Sequence, residues 1–538
     1  MSTFRIHTTV LRECAEKYSS KSVLKVPKKN VDPVEWRDVS FTQFQHDIET
    51  YAKYWADKLE KQGVKPRSVV GMWVKGLAYS DLLHQWGIAR AGYIPQFCSL
   101  RLTDPAVTYQ LVQKAEAVAL VHDQDSTHIV KDCPVPAYQA IDLLDHTGIE
   151  NLPLPDLWEP ENGDDTTMFF HTSGSTSGIP KLVPVSARWN QNMIEKLEAM
   201  NDVAPATRPY PASNLMGSFS HAASTIYFIQ SMCRGGSYIL PTCLPYSATE
   251  LQRMIEIGDL SIFAIFPAFL TTFLRNAQTD PALLASLQKL DYIMHAGLEP
   301  DPTMDAWIQD NGLTMVNVFA STETGLVMLS NSATGKGGLL KRAPKSCFDL
   351  VPLAPDAGFD EQLYEVVVPP EAHECPDASL LDPSDGKLHT GDLFAEVEPG
   401  WYTFKGRNDD WIKMAMAGRC DSGLIEKNVM KTCGEDIVES VIVVGAGRES
   451  PTIIVEPVED IQVDDQASRS RIEELKNEIC KRIAPFHKSR YIHERVDDPR
   501  FIIVVSKGTL PRTSTKGNIR RKQTEEAFKT QLDEIYSS

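Results

Sequence analysis

The chain has 538 residues, more than one hydrophobic core supports, so at least two domains are expected. Hydrophobic residues make up 42% and charged residues 23% of the sequence, which excludes wholesale disorder. The net charge of −18 argues against a general affinity for nucleic acid or anionic membrane, because both depend on Lys and Arg neutralising phosphates.

The first part of the chain alternates between helical and strand patterns. A helix is predicted from four apolar residues at helical spacing, Phe44, Ile48, Trp55 and Leu59. Gly63 follows them and is predicted to end the helix, because glycine is common at helix C-termini. Short apolar runs that predict strands lie at 69–74, 118–121, 167–170, 261–266, 292–294 and 314–319. This alternation predicts βα units and largely parallel sheets.

A polar segment at 406–410 precedes a smaller region with its own elements. Strands are predicted there at 441–444, 452–455 and 501–505, and one helix face is formed by Ile472, Leu475, Ile479 and Ile483. We therefore predict an α/β fold with two domains. Residues 1–408 form a large N-terminal domain of parallel-rich sheets with flanking helices, and residues 409–538 form a small α+β C-terminal domain.

A loop rich in glycine and hydroxyl groups follows the strand predicted at 167–170. Residues 168–181 read Met-Phe-Phe-His-Thr-Ser-Gly-Ser-Thr-Ser-Gly-Ile-Pro-Lys. Such a loop suits phosphate, because glycines let backbone N–H groups approach oxygens, hydroxyls donate hydrogen bonds and Lys181 adds positive charge. It is not a Walker loop, since Ile179 stands where that pattern needs Gly, and Thr176 excludes a nucleophile elbow. A flexible surface loop is the alternative.

This loop resembles the signature of the acyl-adenylating (AMP-binding) superfamily, which includes acyl-CoA synthetases, luciferases and adenylation domains of peptide synthetases. Four later segments resemble the family's motifs in the same order. Residues 317–323 resemble N-x-Y-G-x-T-E, 390–392 match T-G-D, 406–413 resemble G-R-x-D-D-x-I-K, and 510–517 resemble the segment with the catalytic lysine. Five segments in order are much more specific than any one of them.

The resemblance implies that a carboxylate attacks the α-phosphorus of ATP and expels pyrophosphate. It implies a phosphate-binding loop for the β- and γ-phosphates, formed by Thr172, Ser173, Gly174, Ser175, Thr176, Gly178 and Lys181. Glu323 is then the ligand of Mg²⁺, and Thr322 donates its hydroxyl to the α-phosphate. A helix-capping or surface Thr-Glu pair is the alternative.

The remaining roles also follow from the resemblance. Asp392 accepts hydrogen bonds from the ribose hydroxyls and Arg407 supports the nucleotide, while Asn317 and Gly297, in the segment 295–299, border the adenine. Lys516 neutralises the charge that builds between carboxylate and α-phosphate. A turn-forming Asp and a merely basic tail are the respective alternatives for Asp392 and Lys516.

Two further residues complete the implied machinery. His221 is similar to the residue bordering the acyl pocket, with a packed core histidine as the alternative. Asp409 resembles the hinge about which a mobile small domain rotates to exchange Lys516 for a surface that admits a thiol. The thiol belongs either to CoA or to a carrier-bound 4′-phosphopantetheine.

The sequence departs from the family pattern in several places. Ser177 is one residue extra in the phosphate loop, and Phe319 and Ala320 replace the common Tyr-Gly. Lys516 precedes Gly517, which reverses the usual order. This reversal resembles the adenylation domains of fungal carboxylic acid reductases and related peptide-synthetase-like enzymes, in which a carrier domain follows.

The residues after His221 bear on the substrate. Amino-acid-activating relatives place a carboxylate there for the substrate ammonium, but residues 222–225 are Ala-Ala-Ser-Thr. This favours a neutral pocket and a small uncharged aryl or aliphatic acid, and of these two classes we expect the aromatic one.

The chain contains neither a G-G-x-S carrier site nor a complete G-x-G-x-x-G segment, so a carrier domain in cis or trans is the expected partner. Its end at Ser538 suits an excised adenylation domain as well as a whole ligase. A stand-alone acyl-CoA ligase is the nearest alternative, and a nucleotide-binding regulatory protein is a remote one.

Ten cysteines are scattered without a C-x-x-C pair, which predicts reduced thiols. The amino terminus lacks a signal-peptide pattern, and no run of about 18 apolar residues occurs. A cytoplasmic enzyme without nucleic acid or membrane partners is expected.

Overall fold

The computed structural model describes residues 4–99, 102, 105–172, 181–200, 206–296, 302–331, 336–353, 362–408, 411–414, 419–463, 468–488, 490, 494–512 and 518–537. Its strands in chain order are β1 Ser22–Pro27, β2 Trp36–Ser40, β3 Val69–Trp73, β4 Ile94–Phe97, β5 Ala119–His122, β6 Ala137–Gln139, β7 Thr166–His171, β8 Leu182–Ser186, β9 Ala212–Leu215, β10 Ser237–Ile239, β11 Leu260–Ile265, β12 Tyr292–Ala296, β13 Met315–Ser321, β14 Gly325–Asn331, β15 Lys336–Arg342, β16 Asp349–Pro352, β17 Leu363–Val368, β18 Leu388–Glu398, β19 Trp401–Arg407, β20 Trp411–Lys413, β21 Arg419–Asp421, β22 Val438–Val444, β23 Thr452–Pro457 and β24 Ile502–Val504.

The α-helices of the same residues, again in chain order, are α1 His7–Lys17, α2 Phe41–Glu60, α3 Tyr79–Arg90, α4 Pro105–Lys114, α5 Ala187–Ala199, α6 Ala222–Cys233, α7 Ala248–Glu256, α8 Pro267–Thr279, α9 Pro281–Leu287, α10 Pro302–Asp310, α11 Ser422–Cys433, α12 Arg469–Lys488, α13 Arg521–Ala527 and α14 Lys529–Ser537. None of the helices in these ranges is long and apolar enough to cross a membrane.

One sheet has six strands in the order β6-β5-β3-β4-β7-β8. All neighbours are parallel except β7 and β8, which form an antiparallel pair around the phosphate loop. Strands β3, β4 and β5 are buried along their whole length. Burial on both faces explains why these strands are continuous apolar runs in the sequence.

A second sheet has thirteen strands in the order β16-β17-β18-β19-β15-β14-β13-β12-β11-β9-β10-β1-β2. The strands β13-β12-β11-β9-β10-β1 form a parallel run. This run is flanked by antiparallel partners, β14 next to β13 and β2 next to β1. From β14 to β16 the pairing is antiparallel. No α-helix lies between β13 and β19 in the described residues, and consecutive strands there pair directly, except that β15 pairs with β19 and not with β16.

The predicted elements of the first region are confirmed. The predicted strands correspond to β3, β5, β7, β11, β12 and β13. The predicted helix is α2, and Gly63 follows it with φ +73° while the Val64 N–H donates to the Leu59 carbonyl at 3.0 Å. This is the hydrogen bond that a glycine-terminated helix makes.

The carboxyl-terminal region has a hydrophobic core of its own. Strands β22, β23 and β24 form a three-stranded sheet, with β20 and β21 as a separate pair. The four residues predicted to share a helix face lie on α12 and are buried in this core, together with residues of β22, β23 and β24.

The predicted linker at 406–410 is partly wrong. Gly406 and Arg407 belong to strand β19, because Arg407 pairs with Asp392 of β18. Asp409 and Asp410 lie outside the described residues. The overall architecture is α/β with a large amino-terminal part and a smaller carboxyl-terminal part, as predicted.

Candidate active site

Three groups of candidate site residues follow the carboxyl ends of strands in the parallel parts of the sheets. Strand β7 leads into the phosphate loop, β12 ends at Ala296 directly before Gly297, and β13 ends at Ser321 directly before Thr322 and Glu323. Open α/β sheets bind ligands at the carboxyl ends of their strands. Ser173, Gly174, Ser175, Thr176, Gly178, Gly297, Asp409 and Lys516 lie outside the described residues.

The base of the phosphate loop is a closed hairpin. The Thr172 N–H donates to the Lys181 carbonyl at 2.9 Å, and His171 pairs with Leu182 in the β7–β8 ladder. Thr172 is half-buried and Lys181 is exposed. The two ends of the loop are thus fixed at adjacent positions, with the Lys181 ammonium accessible to an anion.

His171 connects this base to the loop after β4. Its Nε2 accepts a hydrogen bond from the Ser99 N–H at 3.1 Å, so the ring is not protonated at that nitrogen. His171 belongs to the segment 168–181, but no role was predicted for it from the sequence. The sequence gives no signal for this contact, because Ser99 and His171 are 72 residues apart.

The Glu323 turn, residues 321–325, joins β13 to β14. Ser321 pairs with Gly325, and the Ser321 hydroxyl oxygen accepts from the Thr324 N–H at 3.1 Å. The side chains of Thr322 and Glu323 are half-buried. No helix starts here, so the helix-capping alternative for Thr322 and Glu323 is excluded.

Gly325 is required at the end of this turn. Its φ is +63°, and a Cβ at this position would overlap the Cε of Met193. The positive φ is what requires glycine, because the Met193 methyl is the end of a flexible side chain and could move. Any other residue would strain the backbone of this turn.

His295 and Asn317 form a buried polar pair on β12 and β13. They are directly opposite each other in the parallel ladder, and each is at most 3% exposed. His295 Nδ1 and Asn317 Oδ1 lack hydrogen-bond partners among the described residues. Burial lowers the pKa of His295 to about 4, so its ring is neutral at pH 7.

Unpaired buried polar atoms are costly unless a ligand or water satisfies them. A heterocycle with its own donors and acceptors, such as adenine, is one ligand that would satisfy both atoms. Asn317 was expected at the adenine, and His295 belongs to the segment expected to border it.

Asp392 lies on β18, opposite Arg407 on β19. Arg407 Nη1 donates to Asp392 Oδ1 at 3.4 Å, and the Asp392 N–H donates to the Thr390 hydroxyl at 3.1 Å. The Gly391 N–H donates to Glu365 Oε1 at 2.9 Å. The structure brings two predicted site residues, Asp392 and Arg407, together on adjacent strands. Because Asp392 lies in a strand, the alternative interpretation of a turn-forming Asp is excluded.

Glu365 was not predicted as a site residue. It is a lone acidic residue in the apolar run of β17, and its side chain accepts the Gly391 N–H next to Asp392. A charged residue inside an apolar strand is the signal that could have identified it.

His221 is the residue before the first turn of α6. Its carbonyl accepts the Thr225 N–H at 3.3 Å, and its side chain is half-buried. Phe219, two residues earlier, is buried. His221 is therefore not a fully packed core histidine, and it is located at the start of the helix that carries residues 222–225.

The donor set fits Mg²⁺ delivered with a nucleotide. No group of three or more His, Cys, Asp or Glu side chains in the described ranges could hold a metal ion by itself. Mg²⁺ in nucleotide sites is bound by one or two carboxylates together with phosphate oxygens. Glu323 has no hydrogen-bond or ion-pair partner for its carboxylate among the described residues, so it fits as that carboxylate.

The sequence matches the family described as AMP-binding enzyme over residues 11–347. Residues 409–538 match the AMP-binding enzyme C-terminal domain. The chain belongs to the AMP-binding enzymes. The reaction class of this family is the ATP-dependent formation of an acyl-adenylate.

The chain matches individual relatives over different shares of their length. It is 30% identical over 525 residues to the AMP-binding domain-containing enzyme iboA of Amanita muscaria, covering 94% of this chain and 98% of that protein. It is 24% identical over 488 residues to a carboxylic acid reductase of Neurospora crassa, covering 85% and 43%. The chain thus spans nearly all of the first relative and about two fifths of the second.

A solved structure supports the fold. O-succinylbenzoate coenzyme A synthetase of Bacillus subtilis in complex with AMP aligns with a TM-score of 0.72 at 13% identity, covering 97% of this chain and 98% of that one. The predicted acyl-adenylating fold is therefore confirmed.

Proposed function

We propose that the protein activates an aromatic carboxylic acid, not an α-amino acid, to an acyl-AMP with release of pyrophosphate. It then transfers the acyl group to the phosphopantetheine thiol of a carrier domain, as the first step of carboxylic acid reduction. The observation that carries this proposal is the pair His295 and Asn317, with unpaired buried atoms, on strands β12 and β13, of which β13 leads into the half-buried Glu323 turn. A domain boundary at Asp409 and a cytoplasmic location are part of the proposal, and the ten free cysteines support that location.

In this mechanism the protein positions ATP and neutralises charge. Thr172, Lys181 and the loop between them bind the β- and γ-phosphates, and Thr322 donates to the α-phosphate. Mg²⁺ bound at Glu323 supplies charge neutralisation on the phosphate oxygens.

Other residues hold the nucleoside and the reacting groups. Asp392 accepts from the ribose hydroxyls with Arg407 beside it, and Asn317 borders the adenine. Lys516 stabilises the charge that develops between the carboxylate and the α-phosphate. His221 borders the acyl group.

The proposed substrate class rests on the start of α6. Residues 222–225 carry no charge, and Ser224 is fully buried with a hydroxyl that has no partner in the described residues. Burying a substrate ammonium there without a carboxylate would be costly. A neutral acid with an apolar ring fits these residues better than an amino acid.

An acyl-CoA ligase is the second candidate. The match to iboA, described as an AMP-binding domain-containing enzyme, leaves CoA open as the thiol. The reversed order Lys516-Gly517 and the match to the carboxylic acid reductase favour the carrier. A carrier in trans is compatible with both observations.

The test is acid-dependent pyrophosphate release with hydroxylamine as the trap, over a panel of aromatic, aliphatic and amino acids. We expect the strongest release with aromatic acids. If no acid in the panel caused pyrophosphate release, adenylation would be contradicted. If an amino acid gave the strongest release, the neutral pocket would be contradicted. Adding CoA or a phosphopantetheinylated carrier to the best acid then identifies the thiol, because only the correct acceptor consumes the adenylate.

Lys516→Ala should lower adenylation by roughly 10²- to 10³-fold while ATP binding changes little, because the lysine acts on charge that develops in the transition state. Lys522→Ala is the matched control in the same basic segment and should keep its activity. The opposite result for the two variants would show that Lys522 is the catalytic lysine.

A further inference from the structure

One face of helix α5 lies directly beneath the Glu323 turn. Trp189, Met193 and Lys196 are spaced by four and three residues, so they share that face, and all three are buried. Each of them contacts the chain between residues 323 and 326. The turn that presents Thr322 and Glu323 is thus supported from below by a single helix.

The contacts follow the turn residue by residue. Trp189 Nε1–H donates to the Glu323 carbonyl at 3.0 Å. Met193 fills the space beside Gly325, where any Cβ would overlap it. Lys196 Nζ donates to the Leu326 carbonyl at 3.0 Å.

Lys196 is itself fixed in one position. It pairs with Glu374 at 3.0 Å, and the two side chains are 0% and 1% exposed. Glu374 also accepts from Asn192 Nδ2 at 3.2 Å and from the Cys347 N–H at 2.6 Å. A buried pair with this many hydrogen bonds permits one geometry, so α5 cannot shift freely against the turn.

The same helix is connected to the phosphate hairpin. Strand β8 leaves the phosphate loop and runs into α5, whose first turn is capped by Ser186, since the Ser186 hydroxyl accepts the Trp189 N–H at 3.2 Å. Helix α5 therefore joins the two parts of the site that handle the phosphates and their metal.

We propose that the buried face of α5, through the Trp189 indole and Met193, positions Glu323 for Mg²⁺. This inference rests on the proposed function, in which Glu323 is the Mg²⁺ ligand. The Glu323 carboxylate has no partner of its own among the described residues, so its placement depends on the backbone that Trp189 holds. Trp189 is a positioning residue, because it acts through Glu323 and not on the substrate.

The experiment compares the equilibrium affinity for ATP in the presence of Mg²⁺ and in the presence of EDTA, which requires no knowledge of the acid. For wild type we expect Mg²⁺ to strengthen ATP binding. Trp189→Phe keeps an aromatic ring but removes the N–H donor. It should reduce the Mg²⁺-dependent strengthening by roughly three- to tenfold, the scale of one hydrogen bond, with unchanged affinity in EDTA.

Trp36→Phe is the matched control. Trp36 Nε1–H also donates to a main-chain carbonyl, that of Leu240, at 2.8 Å, but it lies on β2 at the far edge of the large sheet. This variant should keep the wild-type response to Mg²⁺. If both tryptophan variants lose the response equally, or if Trp189→Phe weakens binding equally in EDTA, the proposed role of Trp189 is wrong.

Two further results keep the proposal testable. If Trp189→Phe does not fold, Met193→Ala loosens the same contact beside Gly325 and should reduce the Mg²⁺-dependent strengthening at least about twofold. A folded Met193→Ala with the wild-type response would then overturn the proposal. If wild type itself binds ATP without any effect of Mg²⁺, the proposed role of Glu323 fails and the inference that rests on it fails too, whereas a wild-type response that Trp189→Phe retains overturns only the positioning by α5.

Discussion

Two regions present an acidic residue to the proposed nucleotide, and they are held by different forces. The Glu323 turn is braced by buried groups of α5, including a Lys196–Glu374 pair without solvent exposure. The Asp392 segment, residues 390–392, is surrounded by charged side chains that water reaches: Arg407 and His389 are 40% and 39% exposed. Buried pairs are little affected by salt, whereas exposed charges are screened.

The difference follows from the position of each region in the large sheet. Strand β13 lies between the parallel β12 and the hairpin partner β14, with α5 packed against the hairpin. Strand β18 belongs to the antiparallel part of the sheet, where its neighbours are β17 and β19, and His389 on it reaches Asp385 in the preceding polar loop. We expect mutations near Glu323 to affect stability and metal response, and mutations near Asp392 to affect charge-dependent properties.

The largest effect is expected from breaking the buried pair. Lys196→Met leaves Glu374 buried without its cation and should lower the free energy of unfolding by about 3–5 kcal/mol, measured by urea denaturation. Lys345→Met is the control. Lys345 pairs with Glu195 of helix α5 at an exposed site, so this variant should lower the free energy of unfolding by under about 1 kcal/mol. Equal losses in the two variants would show that burial does not decide the strength of these pairs.

The next effect concerns catalysis. Glu323→Gln keeps the size of the side chain but removes the charge that Mg²⁺ requires. Pyrophosphate release should fall roughly 10²- to 10³-fold, the result of losing several kcal/mol of charge stabilisation in the transition state. ATP binding in EDTA should stay near wild type. Full activity of Glu323→Gln would show that Glu323 is not the Mg²⁺ ligand. The buried contacts between α5 and the Glu323 turn would then stabilise the fold only and have no role in catalysis.

The sequence predicted the elements that end at the site, because buried parallel strands are continuous apolar runs and the loops after them contain the motifs of the resembling family. It did not predict the antiparallel half of the large sheet, because strands such as β16 and β19 are exposed or half-buried and form no continuous apolar run. The pairing of β15 with β19 in addition joins strands that are distant in sequence. Trp189 and Lys196 were also missed. Their partners, the carbonyls of Glu323 and Leu326, lie more than a hundred residues away and carry no side-chain signal.

A smaller effect is expected at the other acidic residue. Asp392→Asn retains an acceptor but loses the charge-assisted hydrogen bonds to the ribose, which should weaken ATP binding by roughly 10- to 100-fold. The loss should be the same with Mg²⁺ and with EDTA, in contrast to Glu323→Gln. Asp377→Asn, at an exposed turn outside the proposed site, serves as the control. If the effect of Asp392→Asn required Mg²⁺, the two acidic residues would act on one metal and not on separate parts of ATP.

The smallest effect concerns His389, whose ring lies between two carboxylates. The hydrogen bond to Asp385 at 3.0 Å and the contact with Glu365 at 3.3 Å raise the pKa of His389, while partial burial opposes them. Lys387, two residues before His389, is the nearby cation, and its Nζ lies 4.0 Å from Asp349.

Because the folded-state pKa of His389 is raised, its stabilisation is fully present below the unfolded value near 6.5 and is lost as the pH rises through the folded value. Wild type should exceed His389→Gln in free energy of unfolding at pH 6, by under about 1 kcal/mol at this exposed site, and the difference should vanish at about pH 9. Urea midpoints at both pH values, at low and high salt, measure it. If the difference in free energy of unfolding persists at the higher pH or in high salt, packing and not charge stabilises the Asp392 segment. The Asp392 segment and the Glu323 turn would then be stabilised by the same kind of force.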